Sequence, residues 1–138
     1  MKSARRRSRE FALQGLYAWQ ISRSNVADIA AQMEEARDFD KADPVYFQTL
    51  LGGAVKEAEE LQLLIAPTLD RRIEELSPVE RGILMLAAHE LRSCPEVPYK
   101  VVINEAVELA KSFGGTDGYK YVNGVLDKLA KLLRPQPK

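Results

Sequence analysis

Apolar residues recur along this chain at helical spacing, and no pair of segments shows the alternation of a half-buried sheet. Ala12, Leu16 and Trp19, with Leu13, Tyr17 and Ile21, form one broad face behind a plausible cap at Ser3. Asn25 opens a second helix reaching about Arg37, with Ile29 and Met33 on one side. Asp43-Pro44 is a cap followed by proline at the first helical position. The helix it starts carries Phe47, Leu50, Leu51, Ala54, Ala58, Leu61 and Ile65 on one face and ends at Pro67. A short fourth helix is expected over about Thr68 to Leu76.

Ser77-Pro-Val-Glu80 is a capping box with proline at the first position. Behind it Ile83–Ala88 is apolar all round, which predicts a central, buried fifth helix ending at Ser93-Cys94-Pro95. Tyr99–Ile103 is β-branched enough for a strand. The spacing of Val102, Ala106, Leu109, Ala110 and Phe113 carries the pattern past strand length, so the segment is read as a helix. Gly114 fits a left-handed position after it. Thr116 or Asp117 can cap a last helix that buries Val122, Val125, Leu126, Leu129 and Leu132 or Leu133 and stops at Pro135. The prediction is an all-α chain of about seven helices. A junction over Pro67–Ser77 would separate a group in residues 1–66 from one in 67–138.

At 138 residues the chain fits one domain and needs no disulfide or metal to hold it. A single cysteine, Cys94, and a single histidine, His89, make the usual zinc site and a catalytic dyad poor readings. The cysteine count points to a reducing, cytoplasmic setting, and no apolar run approaches the roughly 20 residues of a membrane span. Net charge is zero but uneven. Residues 1–27 hold six cations against one acid, 28–80 five against thirteen, and 81–138 nine against six. That layout predicts a local basic site and a separate acidic surface rather than a general polyanion binder.

The basic site begins at Lys2 and the run Arg5-Arg-Arg-Ser-Arg9. Cations in the first turns of a helix oppose its dipole by about 0.3–1 kcal/mol each, so stability alone does not call for them. Two readings stand: a solvated basic terminus, or a phosphate contact. Lys120 and Tyr121 sit where the last helix begins, a place suited to stacking and anion contact. Asn104 and Asn123 fit hydrogen bonds between helices and also ligand contact. Glu34 and Glu35 diverge on a helix and read as solvated acids. Gly52-Gly53 and Gly124 lie inside helices at a cost of about 1 kcal/mol each, which predicts close packing against a neighbour. His89 reads as structural; Cys94, near a loop, has nothing to mark it as a nucleophile.

The stretch Pro98-Tyr-Lys-Val-Val-Ile-Asn-Glu-Ala-Val-Glu-Leu-Ala-Lys-Ser-Phe-Gly114, with Tyr121-Val-Asn-Gly-Val-Leu-Asp127, resembles the signature of the NusB family of bacterial antitermination factors. Arg5-Arg-Arg-Ser-Arg-Glu-Phe-Ala-Leu-Gln-Gly-Leu-Tyr-Ala-Trp19 is similar to that family's start. The resemblance covers essentially the whole chain. It implies two packed helical bundles, binding of boxA RNA jointly with ribosomal protein NusE, and membership of an RNA polymerase complex that suppresses termination, notably in rRNA operons. It implies no enzymatic activity, cofactor or metal. By the same resemblance Lys2, Arg5, Arg6, Arg7, Tyr17, Lys120 and Tyr121 contact RNA, and Glu80 belongs to the RNA or NusE side. Gly115–Tyr119 match the pattern less well. Many relatives carry Phe where Tyr121 stands; tyrosine keeps the π face and adds a hydroxyl. The alternative is a protein-binding helical scaffold or homodimer without RNA contact. NusB-like domains also occur on RNA cytosine methyltransferases, but this chain has no room for such a domain.

On this reading the fold should bring the Lys120–Tyr121 pair close to the N-terminal arginines, on one surface. If Lys2 and the three arginines each neutralise a phosphate, the logarithmic salt dependence of RNA binding has a slope near −3, about −0.7 per single-strand contact. Replacing Arg5, Arg6 and Arg7 by alanine should flatten it; an unchanged slope in a salt titration rejects the phosphate assignment.

Overall fold

The computed structural model describes residues 2–135, and all regular elements in that range are helical. The seven helices are α1 (Ala4–Ser22), α2 (Val26–Glu34), α3 (Pro44–Lys56), α4 (Ala58–Ile65), α5 (Pro78–Ser93), α6 (Tyr99–Phe113) and α7 (Gly118–Leu133). Four of the five caps expected at helix starts form; before α7, Asp117 takes the cap position in a left-handed conformation and its side chain makes no capping hydrogen bond. Ser3 Oγ accepts from Arg6 N–H at 3.0 Å, Asn25 Oδ1 from Ala27 N–H at 2.7 Å, Asp43 Oδ1 from Tyr46 N–H at 3.0 Å, and Ser77 Oγ from Glu80 N–H at 3.1 Å. Each satisfies one of the donors a helix start leaves open.

Helix α5 is the centre. Every residue from Gly82 to Leu91 is buried, as an all-round apolar segment requires. It packs against α1, α3 and α4 on one side and α6 and α7 on the other. Helices α1, α2 and α3 pack together, and α6 and α7 form a close pair. The buried side chains of all these helices join in one core.

Three ion and hydrogen-bond clusters tie the helices together. Arg9 is 4% exposed, and its Nε and Nη2 donate to Glu90 of α5 at 2.7 and 2.8 Å. Tyr46 Oη of α3 donates to the same carboxylate at 2.5 Å. Burial alone would lower the Arg9 pKa; the hydrogen bond and charge of Glu90 more than reverse it, so the guanidinium stays protonated. Ser8 Oγ donates to Asp43 O at 2.7 Å and accepts from Asp43 N–H at 2.9 Å, pinning α1 to the start of α3. At the far end, Arg134 donates to the carbonyls of Glu90, Leu91, Cys94 and Val97. It thereby closes the C-terminus of α5, where carbonyls lack intrahelical partners.

Several expectations are corrected. The helix expected from Asp43 to Ile65 is interrupted at Glu57, which leaves helical geometry at φ −104°, ψ 19°. Its carboxylate is drawn to His89 Nδ1 and to Arg92, each at 3.0 Å. The expected helix over Thr68–Leu76 is absent. Two 3-10 turns, Ala66–Thr68 and Ile73–Glu75, flank a bend instead. Leu76 is the one apolar residue of this stretch that is fully buried, with Leu69 and Ile73 packing partly on the core, too little apolar surface to hold a regular turn of helix. Helix α2 stops at Glu34, short of Arg37. Gly114 is extended rather than left-handed, and the positive φ of 64° falls on Asp117. Tyr17, Ile21 and Leu132 are exposed, so the apolar faces of α1 and α7 are narrower than the sequence pattern implies. Cys94 is buried, and burial pushes its thiol pKa up. Neither Asn104 nor Asn123 joins helices: both are exposed, and among the described residues neither side chain makes a hydrogen bond.

The glycines divide. A Cβ at Gly53 would overlap the His89 ring, whereas at Gly52 and Gly124 it would meet open space. Close approach therefore explains Gly53 alone. Gly53→Ala should destabilise the fold by about 1–3 kcal/mol through overpacking. Gly52→Ala and Gly124→Ala should each stabilise it by up to about 1 kcal/mol through helix propensity. Urea unfolding of the three variants checks the contrast, and equal effects at Gly52 and Gly53 would reject it.

Candidate nucleic-acid interface

The basic residues at the start of α1 are positioned by the Ser3 cap and by the burial of Ser8 and Arg9 one turn later. They are not four free cations. Lys2 Nζ lies 2.9 Å from Glu10. Arg6 makes a bidentate pair with Glu105 of α6, Nε to Oε1 at 3.0 Å and Nη2 to Oε2 at 2.7 Å. Arg5 lies over the Tyr46 ring, 4.1 Å from its centroid. The side chain of Arg7 makes no ion pair among the described residues. Arg9, the last of the run, is buried in the Glu90 pair and serves the fold. The hydrogen bond from Arg6 holds the Glu105 carboxyl below its usual pKa, against a smaller opposing effect of partial burial.

Helices α1 and α6 lie beside each other from this end onward. Lys2, Arg6, Arg9 and Glu10 share a cleft with Glu105, Glu108, Leu109 and Ser112. Further along, Leu13, Gln14 and Tyr17 of α1 line an apolar groove with Met33, Val79 and Phe113. Tyr17 is 45% exposed and Phe113 38%, so two aromatic side chains stand open to solvent there. Gln20 Nε2 donates to Pro78 O at 2.9 Å, fixing this part of α1 to the start of α5.

The groove ends at Val79, next to Glu80. Glu80 sits in its cap, with Ser77 Oγ 3.3 Å from Oε1, and its Oε2 lies 3.3 Å from where a Cβ on Gly118 would be. The start of α5 thus meets the start of α7. There Lys120 is exposed, with Nζ 3.5 Å from Asp117. Tyr121 is half-buried against the core, and its hydroxyl donates to Asp70 Oδ1 at 3.2 Å. Arg71 lies over the Tyr121 ring, 4.3 Å from the centroid, while its Nε donates to Asp70 at 2.8 Å.

The expected residues therefore fall into two groups. Lys2, Arg5, Arg6 and Arg7 mark one end of the α1–α6 surface. Glu80, Lys120 and Tyr121 cluster at the α5–α7 start, and Tyr17 stands along the groove that leads towards them. No ion pair, hydrogen bond or ring contact joins Lys120 or Tyr121 to Arg5, Arg6 or Arg7 among the described residues. The surface is extended rather than clustered. Three residues of this surface were not legible in sequence. Glu105 is spaced one turn from Val101 and Leu109 and reads as an ordinary helix-surface acid. Asp70 and Arg71 fall in the stretch expected to be a short helix.

A long, shallow surface that mixes guanidinium groups with exposed aromatic rings fits a binding protein of the nucleic-acid class. The model of the NusB family matches residues 6–131, and the chain belongs to that family. The transcription antitermination protein NusB of Paraburkholderia phytofirmans is 60% identical over 134 residues, 97% of this chain and 93% of that protein. Among solved structures, T. maritima NusB superposes with a TM-score of 0.85 at 29% identity, covering 95% of this chain and 93% of that one. A crystal structure of the antitermination factors NusB and NusE in complex with dsRNA contains a chain that matches with a TM-score of 0.80 at 27% identity, covering 92% of this chain and 96% of that one.

The Arg6–Glu105 pair has a defined pH signature. Because the folded carboxyl titrates below its ordinary value of 4.5, its stabilising contribution is complete above that value and is lost as pH falls through the folded one. Glu105→Gln should remove that part of the acid dependence. Denaturant melts at neutral pH and below about pH 4 check it: equal loss of stability in the two proteins on acidification would reject the pair as a contributor.

Proposed function

We propose that the chain is an RNA-binding transcription antitermination factor that works by binding and performs no catalysis. It takes up boxA RNA together with ribosomal protein NusE and joins an RNA polymerase complex, in the cytoplasm, that suppresses termination, notably on rRNA operons. The observation that carries this reading is the continuous α1–α6 surface, with cations at one end and the exposed rings of Tyr17 and Phe113 along it. Membership of the NusB family and likeness to a chain crystallised with NusE and dsRNA support it. Lys2, Arg5, Arg6, Arg7 and Lys120 are assigned to phosphates, Tyr17 and Tyr121 to bases, and Glu80 to the NusE or RNA side. The whole of 1–138 acts as one domain. Its helical groups, 1–66 and 67–138, are held in register by α5, which packs on both sides.

The ion pairs change the expected electrostatics. A phosphate that takes Lys2 or Arg6 must leave Glu10 or Glu105 behind, and that carboxylate recovers a counterion. Net release then comes mainly from Arg5 and Arg7, and the salt slope drops from about −3 towards about −1.4. A second reading draws on the apolar groove of Leu13, Tyr17, Met33, Val79 and Phe113, which would also suit a protein partner or a second copy of the chain.

One titration separates the readings. With NusE present, boxA RNA should bind more tightly than a scrambled sequence, with a slope between those two values. Tyr17→Ala should weaken binding by ~1–3 kcal/mol, the worth of one stacked base. Equal affinity for boxA and scrambled RNA, combined with a stable dimer on gel filtration, would favour the scaffold and overturn the RNA reading.

A further inference from the structure

Tyr121 does not present a bare ring. The Arg71 guanidinium lies over it at 4.3 Å, and the same arginine is held by Asp70 through Nε at 2.8 Å and Nη2 at 3.4 Å. The Tyr121 hydroxyl reaches that carboxylate at 3.2 Å and closes a three-residue ring of contacts. The cation–ring distance falls well inside the roughly 6 Å within which a guanidinium is attracted to an aromatic face. Arg71 comes from the bend between the two 3-10 turns, and its side chain is 45% exposed. A ligand approaching the covered face of Tyr121 therefore meets Arg71 first.

We infer that Arg71 is a nucleotide-contacting residue, the group that single-stranded RNA meets at the α5–α7 end of the interface, with Tyr121 and Asp70 holding it in place. This rests on the RNA-binding reading above. Three features suit Arg71 to the task. A guanidinium is planar and serves as a stacking surface for a base, as an aromatic ring does. Its position is fixed beforehand, so less side-chain freedom is lost on binding. Nη1 has no hydrogen-bond partner among the described residues, which leaves a donor for a phosphate or a base edge. Tyr121 then also positions Arg71, beside the base contact assigned to it above, and the hydroxyl that distinguishes it from phenylalanine has a definite use, its bond to Asp70.

The test uses the full chain with NusE and boxA RNA, comparing the unaltered protein with Arg71→Ala and Arg71→Lys across a salt series. Arg71→Ala should bind about tenfold more weakly, on the order of one stacked base, with a slope changed by less than the about 0.7 of a free cation, because Asp70 already serves as its counterion. Arg71→Lys should keep the slope yet lose most of the same affinity, because an ammonium offers charge without a plane. Urea midpoints should stay unchanged, since the side chain is exposed. Alanine binding as tightly as the unaltered protein, or more so, would mean that Arg71 merely covers the ring, and the inference falls. Lysine matching arginine in affinity would remove the stacking role. If the unaltered chain itself fails to prefer boxA, the proposed function fails first and the inference with it.

Discussion

The buried pair between Arg9 and Glu90 is the contact on which the architecture turns. It joins the first helix to the central one, recruits Tyr46 from α3, and extends through Arg9 Nη1 to Glu105 of α6 at 3.4 Å. Four helices thus converge on one carboxylate and its neighbours. A pair so deeply placed adds little net stability over an apolar substitute, but loss of one partner strands a charge in the core at a cost of about 3–5 kcal/mol. Its effect is to fix the rotation of α1 about its own axis. With Arg9 turned inward, Arg5, Arg6 and Arg7 are left at the rim, and Tyr17 stands exposed two turns on.

Most of the architecture was legible because helical periodicity and caps are local signals. Ser3, Asn25, Asp43 and Ser77 each begin a helix where the sequence marks one, and the all-apolar run Ile83–Ala88 lies at the centre. The failures share a different cause. The long helix is interrupted at Glu57, where the carboxylate meets His89 and Arg92 of another helix, contacts that leave no trace in the local sequence. The segment from Thr68 to Leu76 has tolerable helix propensity but too little to bury. Gly52, Gly53 and Gly124 look alike in sequence, yet only Gly53 faces a neighbour.

The basic and aromatic residues of the candidate interface are legible in composition, but their charge balance is not. Charge counting sees Arg5, Arg6, Arg7 and Arg9 as equals, because it cannot see which acids the fold brings opposite them. Arg9 is buried, Arg6 is shared with Glu105, Arg5 leans on Tyr46, and Arg7 is left without an ion pair among the described residues. The Tyr121 end repeats the theme. An aromatic residue identified as a stacking surface proves to be half of a pair whose other half, Arg71, comes from 50 residues earlier in the chain. In both places the acids Glu105 and Asp70 orient a guanidinium and temper its charge at once.

The Arg134 clasp places a constraint on the order in which the molecule can be completed. Four carbonyls at and beyond the end of α5 are closed by a residue 37 to 44 positions downstream. Two of them, on Glu90 and Cys94, also accept local backbone N–H groups, so the Leu91 and Val97 carbonyls are the ones that wait on α7, while the Ser77 cap anchors the start of the helix locally. Without that side chain the end of α5 would keep its apolar packing but lose the four hydrogen bonds Arg134 donates there. Closure of the central helix at its far end therefore depends on one guanidinium that the end of α7 supplies.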